Sequence, residues 1–257
     1  MITLVQTDIT YAQTEQNLQT AERALLGAPH SDLYVLPEMW NSGFMAEPDV
    51  CSGDTSLQWM TRMSRELDAA VAGSMAAKEG NAFVNRLYFV KPDGTVSWYD
   101  KRHLFTLGGE HLHYSAGEGR TVVEWRGVRY LLQICYDLRF PSFARNAYDD
   151  TCPSHALYDC ILYVASWPSS RRTAWDTLLR ARAIENQCYV CGVNRIGEDP
   201  ACRYSGGTVI IDPYGNELAS CADNEQTTVT ASLDMEALML FREKFPVLKD
   251  ADEGRNA

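Results

Sequence analysis

The chain has 257 residues, 46% of them apolar and 22% charged, a composition that excludes a disordered chain and suits one large α/β domain of this length. Its 23 Lys and Arg stand against 34 Asp and Glu, a formal net charge of −11. That balance disfavours nucleic acid and anionic membrane as partners, since both need basic surface, but leaves room for an anionic small molecule held by one or two local arginines.

The opening residues, Met1 to Thr10, show no basic stretch followed by an apolar one, so no secretory signal is expected. No apolar run approaches the roughly 18 residues of a transmembrane helix. The expected compartment is therefore the reducing cytoplasm. The eight cysteines are expected as core residues or reagents, not as a disulfide framework.

Ile2–Gln6 reads as a first strand, and residues 14–26 as a helix with Leu18, Ala21 and Leu25 at helical spacing. Leu33–Leu36 is a short buried strand stopped by Pro37. Residues 54–68 fit a second helix, with Asp54 or Thr55 as cap and Leu57, Met60, Ser64 and Leu67 on one face. Ala70–Met75 suggests a strand. Ala82–Val90 and Thr95–Tyr99 flank the turn Pro92-Asp93-Gly94, and Thr121–Trp125 and Val128–Ile134 flank Arg126-Gly127. Between these hairpins, His103 to Gly119 has no clear period, and a loop that long in a compact domain is usually functional.

Further on, Phe143–Tyr148 is helical in composition, Cys160–Val164 is a buried strand, and Thr173–Asn186 is a helix with Trp175, Leu178, Leu179 and Arg182 at helical spacing. Cys188–Asn194 is a strand, Thr208–Ile211 opens a hairpin through Asp212-Pro213-Tyr214-Gly215, and Thr227–Leu233 is a last strand. Strands outnumber helices and fall in two groups, which two helix-covered sheets fit better than one doubly wound sheet. One domain over residues 1–257 is expected, with a polar surface tail from about 246.

Glu38, Lys101 and Cys135 each stand where a predicted strand ends, the position where α/β proteins usually build sites. Together they would supply a proton acceptor, a charged stabiliser and a nucleophile. Spacing alone leaves the bland alternatives open: an inert buried thiol, a solvated glutamate, a structural lysine.

Three segments carry a resemblance that bears on this choice. Leu36-Pro37-Glu38-Met39, Asp100-Lys101-Arg102-His103-Leu104 and Cys135-Tyr136-Asp137-Leu138-Arg139-Phe140-Pro141 resemble, in order and separation, the three signatures of the nitrilase superfamily of carbon–nitrogen hydrolases. Arg180–Asn186 and Ser205–Gly215 resemble that family's helix and late hairpin. The resemblance implies a four-layer α-β-β-α sandwich, with Cys135 as nucleophile, Glu38 as base and Lys101 as oxyanion stabiliser. Within the superfamily, Gly109–Tyr114 and Phe241–Leu248 look most like omega-amidases, which hydrolyse the terminal amide of 2-oxoglutaramate or 2-oxosuccinamate.

The implied mechanism has Glu38 generate a Cys135 thiolate near neutral pH and a thioester form on Cys135. Lys101 and the Tyr136 N–H meet the oxyanion, and Glu110 orients Lys101 and the amide. No metal or organic cofactor is required. His111, Trp167, Arg171 and Arg172 are expected near the substrate, one of the last two binding its carboxylate, with Arg139 a structural ion-pairing residue. The resemblance also implies a homodimer through Arg180–Asn186 and the C-terminal segment. The alternatives are another amidase of the superfamily, acting on a deaminated peptide amide or an N-carbamoyl compound, or a non-catalytic binding protein on the same fold.

Other motifs have plain readings. His111 and His113 beside Glu110 could be a metal pair, but no second ligand cluster accompanies them. Cys188-x-x-Cys191 lies in a strand-like run where residues three apart face opposite sides, so core cysteines are expected. Cys152, His155 and Cys160 read as a surface insertion. Gly117-Glu118-Gly119 is too short for a phosphate loop.

Overall fold

In the computed structural model, which describes residues 1–45, 53–80 and 82–251, the strands form two six-stranded sheets. The first runs β14 (Thr227–Ala231), β1 (Ile2–Gln6), β2 (Leu33–Val35), β3 (Ala70–Glu79), β4 (Ala82–Val90), β5 (Val96–Asp100). The second runs β13 (Glu217–Ser220), β12 (Val209–Ile211), β9 (Tyr189–Asn194), β8 (Cys160–Ala165), β7 (Val128–Ile134), β6 (Val122–Trp125). In each sheet three neighbours are parallel, β1-β2-β3 and β7-β8-β9, with antiparallel strands outside them. A ribbon of β10 (Ile196–Glu198) and β11 (Arg203–Ser205) stands apart.

The inner strands are apolar on both faces, and the alternation along each one sorts its residues between layers. Leu4, Leu33, Val35, Leu132, Ile134, Leu162 and Cys191 meet in the core between the sheets. Their neighbours Val5, Tyr34 and Val71 pack with Ala21 and Leu25 of α1 (Thr14–Gly27) and Met60 and Met63 of α2 (Gly53–Leu67). On the far side Leu131, Ile161 and Val190 pack with Trp175, Leu179 and Ala183 of α3 (Arg172–Asn186). The result is the expected four-layer α-β-β-α sandwich. Cys188 and Cys191 fall in different cores, as residues on opposite faces must, and both are buried.

Several local expectations are corrected. Phe143–Tyr148 is not helical: Asn146 donates to the carbonyls of Tyr158, just before β8, and Asn186, at the end of α3, at 3.1 Å each, and these bonds hold the segment in turns. Of the two readings of Cys160, the strand holds and the surface insertion does not: it is the buried start of β8, with its Sγ 3.7 Å from that of Cys191. Helix α2 begins at Gly53, so Asp54 and Thr55 occupy its first turn rather than cap it. A fourth helix, α4 (Met235–Lys244), was not read from the sequence, although Asp234 caps it by accepting from Ala237 N at 2.9 Å. Beyond it Val247–Lys249 forms a 3₁₀ turn with Leu248 buried, so this stretch is docked; residues 252–257 of the expected tail lie outside the described residues.

Strands β2, β7 and β8 are internal parallel strands, and β5 runs in the direction of β3 because β4 is antiparallel to both. Their carboxyl ends therefore share one edge of the sandwich. Glu38, Lys101, Cys135 and Ser166 all lie just beyond those ends.

Candidate active site

Each of the three candidate residues is held by a local device. After β2, Pro37 ends the strand and Met39 adopts a left-handed φ of 50°, with its N–H on Ser74 Oγ at 3.2 Å. Lys101 directly follows β5; its N–H donates to Asn85 O and its carbonyl accepts from Gly117 N, both at 2.9 Å. A Cβ on Gly117 would lie 2.2 Å from the carbonyl oxygen of Asp100, so only glycine lets that strand approach so closely. Cys135 opens a 3₁₀ turn, Cys135–Arg139, at φ 46°, a strained conformation for a residue with a side chain.

The strain at Cys135 is secured by the buried carboxylate of Asp137. Its Oδ2 accepts from Ile134 N at 3.0 Å and from Tyr99 Oη–H at 2.8 Å. Its Oδ1 accepts from His103 N at 3.0 Å and lies 2.8 Å from His103 Nδ1. Asp137 thus ties the turn carrying Cys135, on the second sheet, to the segment carrying Lys101, on the first.

Lys101 Nζ donates to Glu38 Oε1 at 2.9 Å and to Glu110 at 2.9 and 3.1 Å, and all three side chains are at most 1% exposed. Glu38 Oε1 also accepts from Asn85 Nδ2 at 2.8 Å, and its Oε2 from Ser166 N at 2.8 Å. Glu110 Oε2 accepts from Phe105 N at 2.6 Å. Burial alone would pull the Lys101 ammonium down, but the charges of Glu110 and Glu38 outweigh it and hold it well above its ordinary range. Burial, and then the charge of Glu38, push the Cys135 thiol well above its ordinary range, and Lys101 opposes this only in part. Burial and the facing carboxylate thus favour the thiol form of the resting sulfur over the thiolate. A buried thiol beside a charged carboxylate, with an ammonium alongside, can attack a polarised carbonyl while handing its proton to that carboxylate.

Glu38, Lys101, Cys135 and Tyr136 line a cavity of about 380 Å³. Phe44, Phe105, Trp167 and Pro168 give it apolar wall, and Asp199, Cys202 and Tyr204 reach it from the β10–β11 ribbon. Two arginines line it, Arg139 with its guanidinium 5.1 Å from the Trp167 ring and Arg171 with its own 5.1 Å from the Phe105 ring.

Three of the expectations about the pocket change. Arg172 is not at the cavity: it pairs with Asp176 and Asp223 at 2.7 Å each and packs over Gly207. Arg139, expected as an ion-pairing residue, lines the cavity and forms no salt bridge among the described residues. His111 is exposed and does not line the cavity. Glu110 points inward while His111 and His113 are exposed, which separates the supposed metal ligands, and no group of three such ligands converges among the described residues. Sequence reasoning missed Asn85, the Ser166 and Phe105 N–H groups, the Asp137 clamp and the ribbon residues. Asn85 alone left a trace, as an amide beside Arg86 in a strand whose other residues are apolar.

Comparison with known proteins agrees with this geometry. The sequence profile of the family described as carbon-nitrogen hydrolase matches residues 1–243. The chain is 46% identical to the omega-amidase YafV of Escherichia coli K12, over 99% of this chain and 97% of that one. It is 34% identical to the 2-oxoglutaramate amidase of Bacillus subtilis 168, over 97% and 96%. The crystal structure of XC1258 from Xanthomonas campestris, a CN-hydrolase superfamily protein with an arsenic adduct in its active site, superposes with a TM-score of 0.92 at 39% identity, covering 100% of this chain and 98% of that one.

Proposed function

The chain belongs to the carbon–nitrogen hydrolase family, and from that membership we propose that it is an omega-amidase, releasing ammonia from the terminal amide of a short 2-oxo-dicarboxylate monoamide such as 2-oxoglutaramate or 2-oxosuccinamate. The observation that carries the reading is the buried Lys101, bridged between Glu38 and Glu110, in the same small cavity as Cys135 and two arginines.

Cys135 Sγ attacks the amide carbonyl as its proton passes to Glu38. The new oxyanion meets the Lys101 ammonium and the N–H of Tyr136, the second residue of a 3₁₀ turn whose first N–H groups have no partner within the turn. One such donor typically lowers the barrier by roughly 3 kcal/mol. Glu38 then gives the proton to the departing nitrogen. Ammonia leaves, and a thioester remains on Cys135. Glu38 next takes a proton from water, the hydroxide adds to the thioester, and collapse releases the acid and restores the thiol. Glu110, anchored by Phe105 N, holds the same ammonium with both of its oxygens. No step draws on a metal or an organic cofactor.

The cavity volume is that of a small-molecule pocket. On a protein of net charge −11 the far carboxylate of the substrate needs a local cation, and Arg139 and Arg171 are the candidates at the cavity. Among the described residues no helix is long and apolar enough to cross a membrane, and the thiol chemistry suits a reducing cytoplasm.

The exposed residues Ile184, Tyr214, Leu240 and Phe245 lie on and around α3 and α4, with the Tyr214 and Phe241 rings 4.2 Å apart. This apolar face supports a homodimer.

Ammonia release from 2-oxoglutaramate and from valeramide, a neutral amide of the same length, tests the reading. A charge-assisted hydrogen bond of roughly 1.5–3 kcal/mol predicts kcat/KM about tenfold to a hundredfold higher for the charged substrate. Equal efficiency on the two would overturn the omega-amidase assignment.

A further inference from the structure

We propose that Asn85 is a positioning residue that donates to the Glu38 carboxylate and holds it aimed at Cys135. The inference rests on Glu38 being the base proposed above.

Asn85 lies in β4 and is fully buried. Its Nδ2 donates to Glu38 Oε1 at 2.8 Å and lies 3.4 Å from Glu110 Oε1, and its carbonyl accepts from Lys101 N at 2.9 Å. One side chain therefore reaches both carboxylates, while its own backbone fixes the start of the lysine. Its Oδ1 has no hydrogen-bond partner among the described residues. Leaving a buried acceptor unpaired is costly, yet the opposite orientation of the amide would set that oxygen against two carboxylates. The charges of the site, not the needs of the amide, determine how Asn85 is turned.

Lys101 cannot do this work alone. One ammonium shared by Glu38 and Glu110 leaves the group with one net negative charge in a site where all three are buried. A second cation at position 85 would neutralise the base, and a third carboxylate would repel it. A neutral donor stabilises the ionised Glu38 without altering the charge balance. The polar and charged groups around Glu38 are Asn85 from β4, Lys101 after β5, Glu110, Cys135 after β7 and the Ser166 N–H after β8, with Arg139 and Arg171 on the same cavity. Glu38 Oε1 thus has two donors, and removing Asn85 leaves it only the shared lysine. Glu38 would then keep its proton to higher pH and be available as a base over a narrower range.

The test replaces Asn85 by Leu, of similar volume and without a donor, and by Ala in case the Leu variant does not fold. Two profiles are recorded against pH: kcat/KM for 2-oxoglutaramate, and the rate of Cys135 alkylation by iodoacetamide, read from the mass of the Cys135 peptide. The expected result is an acid limb moved to higher pH by about half a unit or more in both profiles, kcat/KM at neutral pH about tenfold to a hundredfold lower, and KM nearly unchanged. A folded variant whose two profiles superpose on the wild type after scaling would show a merely structural residue and overturn the proposal. If wild-type protein hydrolyses no omega-amide while the alkylation profile still shifts, the substrate assignment fails and the role of Asn85 stands.

Discussion

Replacing Lys101 by Met keeps the length and apolar bulk of the side chain but removes the only charge between two buried carboxylates. Glu38 Oε1 and Glu110 Oε2 each lie 2.9 Å from the same Nζ, so they are less than about 6 Å apart. Two like charges at that separation repel by about 3 kcal/mol at an effective dielectric near 20, in line with the roughly 3–5 kcal/mol typical of a broken buried pair. The variant can relieve this by holding one proton between the carboxylates, which its unfolded chain does not hold at neutral pH. The folded state then binds more protons than the unfolded one, so stability falls as pH rises above the ordinary carboxylate range, by up to about 1.4 kcal/mol per pH unit. Wild-type Lys101 behaves differently. Its raised pKa adds stability that is fully present below the ordinary lysine range and is lost only as strongly alkaline pH is reached. Urea unfolding followed by circular dichroism, at about pH 5.5 and about pH 8, should therefore show a destabilisation of about 3–5 kcal/mol at the higher pH and clearly less at the lower. An identical difference at both values would mean that the two carboxylates do not share the lysine.

Cys135→Ala should abolish ammonia release and leave the far-ultraviolet spectrum unchanged. Cys188→Ala and Cys191→Ala should keep most of the activity but lose about 1–2 kcal/mol of stability, since each leaves a small void in a different core. Arg139→Ala or Arg171→Ala should raise KM for 2-oxoglutaramate at least about tenfold with little change for valeramide, whereas Arg172→Ala should leave both constants near wild type; a steep KM effect at Arg172 would contradict its pairing with Asp176 and Asp223. Light scattering at micromolar concentration should give twice the chain mass, and Phe245→Asp should halve it; a wild-type mass of one chain would dismiss the homodimer.

What the sequence made legible follows from what local rules encode. The buried parallel strands announce themselves as short apolar runs with fixed stops, and so β2, β7 and β8, with the residues just past their ends, could be placed beforehand. The Phe143–Tyr148 segment misled because its composition is helical while its conformation is set by Asn146 bonds to Tyr158 and Asn186, the latter 40 residues away. The arginines were misjudged for a related reason. Arg171 and Arg172 are adjacent, yet the N-terminus of α3 turns one to the cavity and the other to Asp176, and strand-end position alone does not distinguish them. Arg139 belongs to the 3₁₀ turn after β7, where nothing local shows that its guanidinium stacks on Trp167, a residue of another strand end. Glu110 came from family resemblance, and its inward turn depends on the N–H of Phe105, which only the folded loop supplies.

The division of labour between the two sheets explains why the thiol can rest protonated and still serve. Glu38, Lys101 and Asn85 arise from the first sheet and Glu110 from the loop that follows it, so the charged apparatus is assembled on one side of the sandwich. Cys135 and the Ser166 N–H arise from the second. A thiol pushed up by burial and by a facing carboxylate does not depend on a standing thiolate; its proton has to cross the seam between sheets at the moment of attack, and that transfer tolerates little error in distance. The seam is therefore where rigidity matters most. Asp137 supplies it, holding the strained turn of Cys135 from one side while accepting Tyr99 and His103 from the strand end that carries Lys101. Stacking of the His103 ring on Phe140, three residues after Asp137, at 3.8 Å closes the same joint a second time. The positive φ of Cys135 falls inside this joint, between Ile134, whose N–H is held by Asp137, and the turn that carries that carboxylate.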